Sequence, residues 1–209
     1  MSKYIRQLIA QGENQYLDFK YEISDAKKLA RTFSAFVNTG GGKLLIGVKD
    51  NGAITGIRTD EEAFMLESAA HIFCRPKVDY VLKNWLIDGK NILEVTVEES
   101  AFKPHLAPWK DNLWRAFVRV SDENFVANAI QVAVWKNRRK GKATLIKYNQ
   151  VEEKLLKYLQ INQEITMRDF CRLCKIRYPI AKKILINLVA IRVIHIHYTE
   201  KTITYRLIQ

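Results

Sequence analysis

Apolar residues along the chain keep two rhythms, and the switches between them outline the elements. Tyr4, Ile5, Leu8 and Ile9 recur at helical spacing before Gly12, which predicts a short amphipathic helix at the start. Residues 16–22 alternate instead, Leu17, Phe19 and Tyr21 against Tyr16, Asp18, Lys20 and Glu22, which predicts a strand. Ser24 can cap the next helix, whose inner stripe is Ala26, Leu29, Ala30, Phe33, Phe36 and Val37. That helix stops at Asn38, before a run of glycines. Residues 43–48 (KLLIGV) read as a buried strand, KDNG as a tight turn, and residues 53–57 (AITGI) as the returning partner strand. A helix over about 61–73 follows, then strands around 78–87 and 91–98 joined by Asp88-Gly89-Lys90. Next come a loop holding Pro104 and Pro108, a strand over LWRAFVRV, and a helix over about 124–136.

The last third repeats the helical rhythm on a smaller scale. Val151, Leu155, Leu156 and Leu159 mark one helix. Thr166 caps a second, with Met167, Phe170, Cys171, Leu173 and Cys174. A third starts near Pro179 and turns Ala181, Ile184, Leu185 and Leu188 inward. VIHIHY and ITYRLI then alternate about a turn at TEKT. Three helices followed by a β-hairpin is the winged helix-turn-helix order. The expected fold class is therefore α+β: a mixed β-sheet with packed helices, then a small winged helix-turn-helix domain. The boundaries fall at 1–137 for the first domain, 138–146 for a basic linker and 147–209 for the second domain.

Charge sharpens this division. The net charge is +12, yet residues 1–135 carry 17 Lys and Arg against 17 Asp and Glu, so the whole surplus lies beyond them. A neutral body with a basic module is the electrostatic footprint of a nucleic-acid binder. In a helix-turn-helix the third helix enters the major groove with its N-terminal residues foremost. Those positions are Lys175, Arg177, Tyr178, Lys182 and Lys183, with Lys201 at the hairpin tip and Arg138, Arg139 and Lys140 in the linker. Ile186 is expected to be partly exposed on this helix, as a dimer contact or a reader of a thymine methyl. Cys171 and Cys174, with His195 and His197 downstream, have ligand-like spacing for zinc. However, a helix-borne pair lacks the turn such sites use, so no metal is expected there. The chain offers no apolar run long enough to span a membrane and no signal-like leader, and its three cysteines suit a reducing compartment. A cytoplasmic protein is expected.

Six of the nine glycines lie between Thr39 and Ile57, and GGGK invites comparison with a phosphate-binding loop. That loop needs G-x-x-x-x-G-K-[ST] between a strand and a helix start, so that helix amides face the phosphate. Here a helix ends, the glycines follow and a strand begins. Leu44 stands where a hydroxyl would be, and Gly40 is placed to end the helix in a left-handed conformation. ATP is not expected.

Four motifs occur in order: GENQYLDFK (12–20), AFVNTGGGKLLIGVKDNGAITGI (35–57), KPH (103–105) and FVRVSDEN (117–124). Together they resemble the Schlafen AlbA-like DNA-binding domain family, with its "GES…EFK" opening, "AFANTxGGxLxIGVxDDGxIxG" block, Lys-Pro loop and "RVGSST" strand end. The resemblance covers about Ile5 to Gln131. It implies a nucleic-acid-binding domain, often followed by a winged helix. Some relatives are metal-dependent nucleases with three carboxylates, whose matching positions here are Glu13, Asp18 and Asp50, using Mg or Mn. Asp18 is one methylene shorter than the family's Glu, and Ser121-Asp122-Glu123 replaces the Gly and hydroxyls after Arg119-Val120. The chain thus reads as a nucleic-acid-binding protein: a DNA-binding transcriptional regulator that reads duplex DNA, with a homodimer left open. A Schlafen-type RNA or DNA nuclease is the alternative. No cofactor is expected outside that alternative.

Overall fold

The computed structural model describes residues 2–57, 61–110, 113–141 and 149–208. The chain divides into two compact units, Met1–Ala127 and Asn128–Gln209.

In the first unit, helix α1 (Ser2–Gln11) leads into strand β1 (Leu17–Lys20) and helix α2 (Ala26–Thr39). Strand β2 (Gly42–Ile46) is followed by helix α3 (Glu61–Glu67), which runs on as a π-helical turn over Ser68–Ile72. Strands β3 (Val81–Ile87), β4 (Lys90–Val97), β5 (Leu106–Pro108), β6 (Trp114–Val120) and β7 (Glu123–Val126) complete it. The main sheet has the order β1-β2-β4-β3, with β1 parallel to β2 and the other pairs antiparallel. A second, antiparallel sheet has the order β5-β6-β7.

Strand alternation assigns the faces of the main sheet. Leu44, Ile46, Leu93, Val95 and Val97 point into one core with Phe33 and Phe36 of α2. Leu17, Phe19, Leu45 and Ile92 point the other way, toward Ile5 of α1. Both faces are therefore covered, which lets the strands read as near-continuous apolar runs. Beneath α1 the Glu94 carboxylate, 1% exposed, accepts from Tyr4 Oη (2.7 Å), Lys43 Nζ (2.6 Å) and Trp85 Nε1 (2.8 Å). Burial pushes this carboxyl up, and those three donors outweigh it, so Glu94 titrates below the usual range.

Several expectations shift in detail. Asp25, not Ser24, caps α2, accepting from the Lys27 and Lys28 amides. Gly40 is not left-handed (φ 173°); Gly41 is (φ +75°), and a Cβ there would stand 2.7 Å from the Val97 carbonyl. Residues 53–57 are not the partner strand of β2. Gly47 (φ +92°) ends the strand run, only a Val48–Ile54 bridge remains, and β1 and β4 flank β2. The region expected as a helix from 124 begins with β7, because Asn128 is the residue that caps the helix, accepting from the Ile130 and Gln131 amides.

The second unit holds helix α4 (Ala129–Arg139), helix α5 (Gln150–Asn162), strand β8 (Glu164–Thr166), helices α6 (Met167–Cys174) and α7 (Tyr178–Ala190), and strands β9 (Ile194–Tyr198) and β10 (Ile203–Leu207). Its sheet is antiparallel in the order β8-β10-β9. The core joins Ile130, Leu155, Leu159, Phe170, Ala181, Leu185, Leu188 and Tyr205. Because Ile130 belongs to it, the unit starts at Asn128 rather than after residue 137. Arg138 and Arg139 are helical rather than linker, and residues 142–146 of the expected linker lie outside the described residues.

Asn38, fully inside the first unit, ties α2 to the second sheet. Its Nδ2 donates to the His105 carbonyl (2.8 Å) and the Phe117 carbonyl (3.1 Å), and its Oδ1 accepts from the His105 amide (2.8 Å). An Asn38→Ala variant strands these buried groups and should lose about 3 kcal/mol of stability, read as a lower urea midpoint with an unchanged slope.

Candidate functional site

The opening motif ends up as the seal of an exposed sheet edge. Strand β1 lies at one side of the sheet, so its outward backbone groups have no neighbouring strand. Each finds another partner. The Leu17 amide donates to the Asn14 carbonyl (3.3 Å), and the Leu17 carbonyl accepts from Arg119 Nη2 (3.2 Å). The Phe19 amide donates to Glu13 Oε1 (2.8 Å), and the Phe19 carbonyl accepts from Lys20 Nζ (2.6 Å).

Arg119 is the centre of this seal. It is 2% exposed and also donates to Asp18 Oδ1 (3.0 Å), to the Asn14 carbonyl (3.2 Å) and to Asn124 Oδ1 (3.3 Å), with its guanidinium over the Phe36 ring. Lys20 Nζ lies 2.9 Å from Asp18 Oδ2 as an ion pair outside hydrogen-bond geometry. Asp18 therefore faces two cations. Glu13 lies beside Asp18; burial and then that neighbouring carboxylate raise its pKa, against the pull of the Phe19 amide. A cavity of about 370 Å³ adjoins Asp18 and Arg119 and is lined further by Arg31, Trp109 and Asn124.

Of the three carboxylates named from the sequence, the structure brings Glu13 and Asp18 together. Asp50 is exposed in the turn closed by the Gly52 amide on the Lys49 carbonyl. Among the described residues, no group of three or more His, Cys, Asp or Glu side chains is arranged to hold a metal ion. The residues fit the metal poorly: Asp18 is already paired with Arg119 and Lys20, and Glu13 is spent on a backbone amide. The GGGK segment also has other work. The Gly40 and Gly41 amides donate to the Phe36 carbonyl, and Lys43 is held by Glu94 and Thr96.

The second unit places the basic residues differently. Arg177 precedes α7 without capping it through its side chain. Arg177 and Tyr178 are exposed, and Pro179 sits in the first turn. Lys183 is exposed and Lys182 half-buried on the same helix. Lys175, exposed and left-handed (φ +52°), makes the turn between α6 and α7. Lys201 is exposed in the β9–β10 turn. Arg138, at the end of α4, donates to the Ala190 carbonyl at the end of α7, where a cation suits the helix dipole; Arg139 is exposed and Lys140 ends α4. Ile186 is partly exposed and packs against the core, and Ile180, 51% exposed, is the more open apolar residue of the helix. Ile180 lies four residues before the buried Ile184, at the edge of the stripe Ala181, Ile184, Leu185 and Leu188, so the helical period alone did not mark it as exposed; its place in the first turn of α7 leaves it open. Cys171 and Cys174 pack against the core, and His195 and His197 lie on β9.

Residues 13–128 match the family described as Schlafen, AlbA_2, which is more than half of the chain; the chain belongs to that family. Membership suggests nucleic-acid binding. None of the curated proteins matches the chain. The crystal structure of the DIP2311 protein from Corynebacterium diphtheriae is similar at 22% identity and a TM-score of 0.47, over 66% of this chain and 27% of that one. The chain thus spans about a quarter of that protein's length.

If Arg119 seals the edge, its loss leaves the Leu17 carbonyl and Asp18 Oδ1 without their donor and the buried Asp18 with Lys20 as its remaining cation. Arg119→Ala should destabilise the protein by about 3–5 kcal/mol in urea unfolding. Glu13→Gln keeps an oxygen acceptor for the Phe19 amide and removes a carboxylate beside Asp18. It should leave stability at neutral pH equal or higher, and a large loss would contradict the sealing role.

Proposed function

We propose that the protein is a DNA-binding transcriptional regulator that reads duplex DNA through its second unit, folded as a winged helix-turn-helix. The observation that carries this is the exposed set at the start of α7, Arg177, Tyr178, Ile180 and Lys183, with Lys175 in the turn before it. Helix–turn–helix followed by the β9–β10 hairpin is the element order such readers use. The charge supports it: residues 128–209 hold 17 Lys and Arg against 5 Asp and Glu, which is the whole +12. Arginine can bridge the two acceptors of a guanine edge, lysines neutralise phosphates, and Ile180 offers an apolar contact to a thymine methyl.

A titration of labelled duplex at two salt concentrations tests this. Affinity should fall steeply with salt, because phosphate neutralisation releases counterions. Arg177→Ala with Lys183→Ala should weaken binding roughly tenfold or more and flatten the salt slope by about one per phosphate contact removed. A weak response independent of salt would refute the reading. One observation favours the nuclease alternative, the contact of Glu13 with Asp18. Cleavage of structured RNA with Mg or Mn, abolished by Glu13→Ala in folded protein, would support it.

A further inference from the structure

The main sheet has two edges, and among the described residues only one is sealed. On β1 the outward groups of Leu17 and Phe19 bond to Asn14, Arg119, Glu13 and Lys20. At the opposite edge lies β3, seven residues in unbroken register with β4 from Val81–Thr96 to Ile87–Lys90. Asp88 (φ +51°) and Gly89 (φ +74°) form the two-residue turn between them. With both φ positive this is a type I′ hairpin, whose flanking pair, Ile87 and Lys90, is hydrogen-bonded. The β4-facing groups are therefore those of residues 87, 85, 83 and 81, and those of Leu82, Asn84 and Leu86 point outward. Among the described residues, no hydrogen bond reaches those outward groups.

Edges are usually protected by proline, bulges, shortness or several charges. β3 has no proline and no bulge, and Lys83 is its one charged residue. It also carries exposed apolar side chains: Val81 at 55%, Leu82 at 41% and Leu86 at 69%.

We propose that β3 pairs antiparallel with β3 of a second copy of this chain, about a two-fold axis at Asn84. Three independent features select that register. Asn84 is the midpoint of the strand, so the overlap is complete. Its outward N–H and C=O put it in the hydrogen-bonding phase, whereas a centre at Lys83 or Trp85 would present groups already used by β4. The side chains then match: Leu82 faces the partner's Leu86, Lys83 faces the partner's half-buried Trp85 and Asn84 faces its own counterpart, while Val81 reaches the strand end where Ile87 is buried in its own core. Apolar meets apolar, a cation meets an indole, and an amide meets an amide. The four leucines continue the face that carries Leu93 and Val95. Because the pairing is isologous and the β1 edge is sealed, assembly stops at two copies rather than running into a fibre. Nothing here depends on nucleic-acid binding, so either proposal can fail alone.

Sedimentation equilibrium of the full chain, freed of nucleic acid in high salt, should give the mass of a dimer. Leu82→Lys with Leu86→Lys should weaken association about 100-fold or more. Asn84→Pro should do the same without touching the β4 ladder, since it removes only an outward amide. Both variants should retain the native circular dichroism. In a Cys171→Ala, Cys174→Ala background, Asn84→Cys should form an interchain disulfide under mild oxidant, because such pairs lie about 5.5 Å apart at Cα. Glu98→Cys, just past the end of β4 and five residues along from Leu93, which pairs with Asn84, should not. A monomeric mass at every concentration, a dimer indifferent to the lysine and proline variants, or equal cross-linking of both cysteines would overturn the proposal.

Discussion

Arg119 commits its guanidinium to one carboxylate, one side-chain amide and two backbone carbonyls, drawn from two stretches of the first unit far apart in sequence, residues 14–18 and Asn124. Such a cation in a protein interior is tolerable only where nearly every N–H has an acceptor, because an unpaired buried charge costs several kcal/mol. The requirement runs both ways. Asn14 and Leu17 must turn their carbonyls toward β6, Asp18 must point to the α2 face, and Phe36 must present its ring beneath the guanidinium. The α1–β1 connection, the parallel β1–β2 pair and the β6–β7 hairpin thus converge on one side chain. Asn38 does the corresponding work at the end of α2, so two buried polar residues set the relation between the two sheets of the unit.

This changes what the family motifs mean in this chain. The Glu-x₄-Asp spacing of the opening, the Asn before the glycines, the Lys after them and the Arg of the strand end each satisfy a specific buried or edge group. A family can preserve such residues for the fold alone, and chemistry can be added or absent on top of it. The glycines follow the same logic. A side chain on Gly41 would meet the Val97 carbonyl and one on Gly42 would meet the Phe36 ring. Gly42 is glycine because α2 lies against β2, and Gly41 because its φ is positive and the backbone at the end of β4 stands against it.

Legibility followed the physical origin of each feature. The α2 stripe, the β3–β4 hairpin and the α7 stripe were readable because burial writes a periodic pattern into consecutive residues. Strands β5, β7 and β8 were not, being three or four residues long and stabilised by cross-strand partners rather than by their own alternation. The π-helical turn over Ser68–Ile72 leaves no periodic signature distinct from a helix. In the site, the proximity of Glu13 and Asp18 could be named from the motif. The answering partner, Arg119, is separated from Asp18 by 101 residues, and no local rule pairs them. The unit boundary was misplaced for a similar reason: α4 looks continuous with what precedes it, and only its packing partner, α7, shows which core it serves.

The same accounting of backbone groups distinguishes the two sides of the sheet. At β1, four outward donors and acceptors were met with two charged side chains, one carboxylate and a local turn, at the expense of side-chain entropy and desolvation. A fold that invests this much in closing one edge gains little solubility if the other is left to solvent with Leu82 and Leu86 standing beside it, since a long, regular, apolar edge is a template for uncontrolled pairing. Two-fold pairing resolves the asymmetry with the residues already present. It consumes the open edge, buries the leucines, and cannot propagate past the seal that Arg119 holds on the other side.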